Sequence, residues 1–88
     1  MGVPITETTV FDTPMYVAVE ASRGAIEKHN LDELRAEHIS ILEDVLVVRF
    51  AGDEVTFETC RTVARPDRMS LTVPRSVIAE VRPMWPST

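Results

Sequence analysis

The chain has 88 residues, 44% of them hydrophobic and 26% charged, which suits one folded domain with a modest core and argues against disorder away from the ends. Its net charge of -5 argues against a general polyanion binder, because nonspecific nucleic-acid affinity comes from neutralising phosphates. The single cysteine rules out an intrachain disulfide, no apolar run approaches the ~18 residues of a membrane span, and no secretory leader is evident, so a cytoplasmic location is the default expectation.

Val3 to Val10 reads as a first strand with poor alternation, and Pro4 fits only an edge or a strand start. Two readings compete after it. Asp12 or Thr13 can cap a helix with Pro14 in its first turn, running through Tyr16, Val19, Arg23 and Ile26. Alternatively, Met15 to Glu20 is a strand, since Val17 and Val19 are β-branched and two apart, and the helix starts near Ser22. The cap and the proline favour the longer helix, although Gly24 weakens it by about 1 kcal/mol relative to Ala. Residues 22–38 are helical on either reading. Asn30 and Glu33 have the spacing of a capping box, so a second helix can restart at Leu31, with Leu34, His38 and Ile41 near one face. Asp32 and Arg35 can pair on its solvent side.

Glu43-Asp44 reads as a turn leading into the centre of the chain. Val45 to Phe50 is Val-rich and apolar on both sides until Arg49, as a central strand requires. Gly52-Asp53 supplies a turn. Val55 to Cys60 then alternates strictly, so a β-hairpin is expected over 45–60. Arg61 to Ala64 stays strand-like, and Arg65-Pro66-Asp67-Arg68 is a turn. Met69 to Val73 alternates cleanly as a third strand and Pro74 stops it. A brief turn and a last short strand follow, through Val81. Residues 83–88 read as a C-terminal tail, because two prolines deny them regular structure.

The expected fold is one α+β domain over residues 1–88. One or two N-terminal helices pack on a three- to four-stranded antiparallel meander, a pattern also compatible with curling into a small SH3-like or Sm-like barrel. The inward candidates are Ile26, Leu31, Leu34, Ile41, Leu46, Val48, Phe50, Val55, Phe57, Met69, Leu71, Val73, Ile78 and Val81.

Chemistry-bearing residues are sparse. His29 and His38, nine apart, point to roughly opposite faces of a continuous helix and can share a metal only if the chain breaks between them, as Asn30 allows. Cys60 has no base beside it and reads as a semi-exposed structural thiol. The carboxylates at 43–44 and 53–54 suit solvated turns. No catalytic, metal or cofactor-binding residue is assigned, and the chain is not expected to be an enzyme.

Charge is uneven along the chain. Residues 1–59 carry twelve acids and four bases, a net of -8, while residues 60–88 carry two acids and five arginines, a net of +3. The interaction candidates are therefore Arg61, Arg65, Arg68, Arg75 and Arg82, whose planar guanidinium groups suit carboxylate or phosphate, together with Met84 and Trp85, which favour interfaces. The expected function is that of a small protein-interaction or regulatory module, a homo-oligomer or the binder of another protein. The alternative is a small nucleic-acid-associated domain using the C-terminal arginine cluster; the lack of an aromatic ladder disfavours it.

Overall fold

The structure, a computed structural model, describes residues 3–29, 31, 34–35, 38–60 and 70–87. Among these residues it is an α+β fold with one short helix and a five-stranded antiparallel sheet. The sheet strands are β1 (Thr9–Ala21), β3 (Ile39–Ala51), β4 (Glu54–Thr59), β5 (Leu71–Pro74) and β6 (Ile78–Pro86), in the order β5-β4-β3-β1-β6. A two-residue strand, β2 (Leu34–Arg35), pairs with β3 at Ile41 and Ser40. The helix α1 (Arg23–Lys28) connects β1 to this region. The outer strands β5 and β6 share no ladder, so the sheet is not closed into a barrel.

The helix expected from Pro14 onward is instead β1. Val17, Val19 and Ala21 are buried while Ala18 and Glu20 turn away, the period of a strand. Pro14 is tolerated because it stands just beyond the last β1–β6 ladder pair, Met15–Pro86: its carbonyl accepts from the Ser87 N–H, and its missing N–H, on the same side of the strand, costs no ladder bond. The true cap is Ser22, whose side chain accepts a hydrogen bond from the Ala25 N–H at 3.3 Å. Ala25 and Ile26 then plug the core. The second helix expected from Leu31 is not formed at Leu34–Arg35, which are extended. The Asp32–Arg35 pair lies outside the described residues. His29 ends α1 and His38 precedes β3, so the two histidines belong to separate elements and not to one helix.

Gly24 lies inside α1, and a Cβ built there meets nothing within 4 Å. Gly24→Ala is therefore expected to raise stability by roughly 0.5–1 kcal/mol, seen as a higher urea midpoint at unchanged slope. A lower midpoint would contradict the open space.

The central hairpin forms as expected. Ala51 pairs with Glu54 around Gly52-Asp53, and Gly52 has φ +58. Positive φ at the first central position alone is the pattern of a type II′ turn, which glycine enters without steric cost. Val48 and Val55 are fully buried with Phe57, while Arg49 and Glu58 make an exposed ion pair at 2.7 Å on the opposite face. The strand before the turn is longer than expected and starts at Ile39. Glu43-Asp44, read as a turn, lies inside it as a kink: Asp44 has φ +61 and is buried.

That kink is one of two bulges facing Tyr16. Between Met15 and Val17, β1 advances two residues while β3 advances three, from Leu42 to Val45, and β6 advances three, from Pro83 to Pro86. The extra residue in each neighbour bends the sheet and raises its local twist. The β4 side of β3 shifts register as well, between Val45 and Val47. The long strands thereby wrap one core of Val17, Val19, Ile26, Leu31, Leu42, Val45, Val48, Val55, Phe57, Val73 and Val81.

After β5, a single 3-10 turn (Arg75–Val77) carries the chain to β6, the turn-then-strand order expected. The segment 83–86, read as part of an irregular tail, is the end of β6. Val81 offers its carbonyl outward to the Ile5 N–H at 2.7 Å. Pro83 is two residues on and has the same facing, so its missing N–H falls on the outer margin. Ser87 closes the end: its N–H donates to the Pro14 carbonyl at 2.9 Å and its hydroxyl to Asp44 Oδ1 at 2.7 Å. Of the expected inward residues, Ile41, Leu46, Phe50, Leu71 and Ile78 are half-buried. Met69 and the Leu34 side chain lie outside the described residues.

Candidate interaction surface

The alternation that buries Val17 and Val19 sends Tyr16, Ala18 and Glu20 to the other side of the sheet. Register then fixes their neighbours. Glu20 stands between Ile39 of β3 and Glu80 of β6, and Ala18 stands between Ile41 and Arg82. Ala18, Glu20, Ile39, Glu80 and Arg82 line one shallow depression. Ile39 is 36% exposed.

Next along β1, the β6 bulge places Trp85 against Tyr16, edge to face, with ring centroids 6.0 Å apart. Trp85 nevertheless remains 52% exposed. Its strand is held from behind by the Ser87 bonds to Pro14 and Asp44. Met84 shares this bulge and is half-buried.

The electrostatics of the face are unbalanced. Glu20 and Glu80 are direct cross-strand partners, and like charges directly opposite are unfavourable. Arg82 reaches Glu80 Oε2 through Nη2 at 2.9 Å. Among the described residues Glu20 has no ion pair, and Arg82 Nε is screened from solvent without an acceptor.

The described arginines do not gather into one patch. Arg75 starts the 3-10 turn, its N–H donates to the Asp53 carbonyl at 2.6 Å, and its guanidinium lies 5.4 Å from the Phe50 ring centroid. The open depression beside it is lined by Asp53, Pro74, Arg75, Ser76 and Ile78. Arg82 is on the β1–β6 face with Glu80. Arg61, Arg65 and Arg68 lie outside the described residues. Sequence reasoning placed Arg82, Met84 and Trp85 in the site but missed Tyr16, Ala18, Glu20 and Ile39. The signal for the first three was the β-branched spacing of Val17 and Val19, which outweighs the proline.

Cys60 follows β4, half-buried, and its N–H donates to the Asp44 carbonyl at 2.8 Å. Among the described residues no three of His, Cys, Asp and Glu come together as a metal-ligand group. No helix among them is long and apolar enough to cross a membrane. No family model, no curated protein and no solved structure matches this chain.

Proposed function

We propose that this chain is a small protein-interaction module that works by contact rather than by catalysis, through the β1–β6 face bearing Tyr16 and Trp85. The observation that carries this reading is Trp85. The backbone bulges to set the ring on the surface, Tyr16 supports it, and half of it stays in water. An exposed tryptophan on a pinned strand loses little conformational freedom on binding, and such residues dominate interface energetics. The neighbouring Ala18 and Ile39 extend the apolar part, and Glu20, Glu80 and Arg82 supply a charged part for specificity.

The alternative nucleic-acid reading has less support. The two candidate arginines among the described residues do not act together: Arg75 lies over the Phe50 ring and Arg82 is paired with Glu80.

The test places a photo-reactive benzophenone side chain at Ile39 in the full chain. Irradiation in its native extract is expected to give a discrete adduct, and Trp85→Ala is expected to abolish it. No adduct, or one indifferent to Trp85→Ala, would overturn the assignment of this face.

A further inference from the structure

The face just described has an occupant that its own pattern identifies, given that it is the contact surface. The outer margin of β6 is poorly suited to adding a strand. Its Val81 carbonyl is already taken by Ile5, and Pro83 and Pro86 carry no N–H. Association at this side of the molecule is therefore face to face. On the face, two groups of opposite sign are open to a partner: the exposed Glu20 carboxylate, without an ion pair among the described residues, and the Arg82 side chain, 41% exposed, whose Nη2 meets Glu80. A purely cationic partner would answer Glu20 but repel the exposed guanidinium of Arg82. A second copy answers both, because a two-fold contact repeats every pairing in reverse.

We infer that the β1–β6 face docks on the same face of a second copy about a two-fold axis, with Glu20 of each copy meeting Arg82 of the other. The apolar centre of the contact is Ala18, Ile39 and Trp85. Arg82 then lies between Glu80 of its own chain and Glu20 across the axis. This also relieves the Glu20–Glu80 opposition within each sheet. Two chains of net charge -5 repel at long range, but at physiological ionic strength the screening length is about 8 Å and contact-range pairing decides the outcome.

Light scattering on a size-exclusion column at that ionic strength tests the inference. The wild type is expected to have a two-chain mass. Glu20→Arg and Arg82→Glu are each expected to shift it to a one-chain mass, since each places like charges at both symmetric contacts. An equimolar mixture of the two variants is expected to recover the two-chain mass. Rescue between chains cannot come from a contact within one chain. Circular dichroism verifies that each variant is folded. Ile39→Arg, at an exposed position of the same face, should also give a one-chain mass, and it serves if Arg82→Glu, set beside Glu20 and Glu80, does not fold. A wild type of one-chain mass at its highest soluble concentration overturns the second copy, and so does a two-chain Ile39→Arg. A mixture that stays at one-chain mass overturns the Glu20–Arg82 pairing. A one-chain wild type that still gives a Trp85-dependent adduct of foreign mass would leave the contact reading intact and remove only this occupant.

Discussion

Phe57→Ala is expected to cost about 3–5 kcal/mol, as for other large aromatic truncations in a packed core. Phe57 has no exposed surface, and its cross-strand neighbours are Val48 on β3 and Leu71 on β5. Among the described residues it is the largest fully buried side chain, and it stands in the middle of the β5-β4-β3 half of the sheet. Domains carry roughly 0.05–0.15 kcal/mol of net stability per residue, so a chain of 88 residues has little in reserve against such a loss. Urea unfolding followed by circular dichroism reads the effect as a fall in midpoint, or as an unfolded baseline without denaturant. The control is Thr56→Ala. Thr56 points the other way and shares an exposed hydroxyl hydrogen bond with Thr72 at 2.9 Å, so its removal is expected to cost under about 1 kcal/mol. Equal losses at 56 and 57 would mean that β4 does not face as described.

The second large effect is expected at Asp44. A non-glycine residue with φ +61 is uncommon, and aspartate is among the few that enter this region readily. Its carbonyl accepts from the Cys60 N–H and its carboxylate from the Ser87 hydroxyl. One residue thus joins three features: the β3 kink, the end of β4 and the end of β6. Asp44→Val places a β-branched side chain in the left-handed region and removes the acceptor for Ser87. The combined cost is expected to be about 2–3 kcal/mol. Asp44→Asn keeps both the backbone tolerance and an acceptor oxygen, and is expected to cost less than about 1 kcal/mol. Trp85 is the only tryptophan and lies two residues before Ser87, so its fluorescence reports the loosening of β6 directly. If valine and asparagine cost the same, the backbone conformation at 44 is not what matters there.

The candidate surface follows from these same bulges. Without the extra residue between Pro83 and Pro86, strict alternation would turn Trp85 to the side of Val81 and Pro83. With it, Trp85 meets Tyr16 on the outside. Pairs of bulged strands are a known means of re-aiming one side chain. Here the register break at Met15 to Val17 and the aromatic contact at Tyr16 coincide.

What the amino-acid order determined by itself was local. The period of two over Val55 to Cys60, the Val-rich run before it and Gly52 in the turn are enough to specify the central hairpin, because strand facing and turn chemistry depend on near neighbours. The same holds for the third strand ending at Pro74 and for the turn-then-strand that follows. Local signals misled where two elements of similar propensity competed. Asp12-Thr13-Pro14 is a sound helix start in isolation, yet residues 9–21 pair with both β3 and β6, and two ladders outweigh one cap and a proline. Glu43-Asp44 carries a real turn preference, which the fold spends on a kink within a strand. Pro83 and Pro86 do forbid donors, and the tertiary structure meets that by setting them at a sheet margin. The interaction surface was legible only in part. Trp85 and Arg82 were visible as unusual residues near the chain's end, whereas Tyr16, Ala18 and Glu20 come from more than sixty residues away and Ile39 from a third strand, more than forty residues away. Register alone brings them together, and register is set by which faces are buried across the whole sheet.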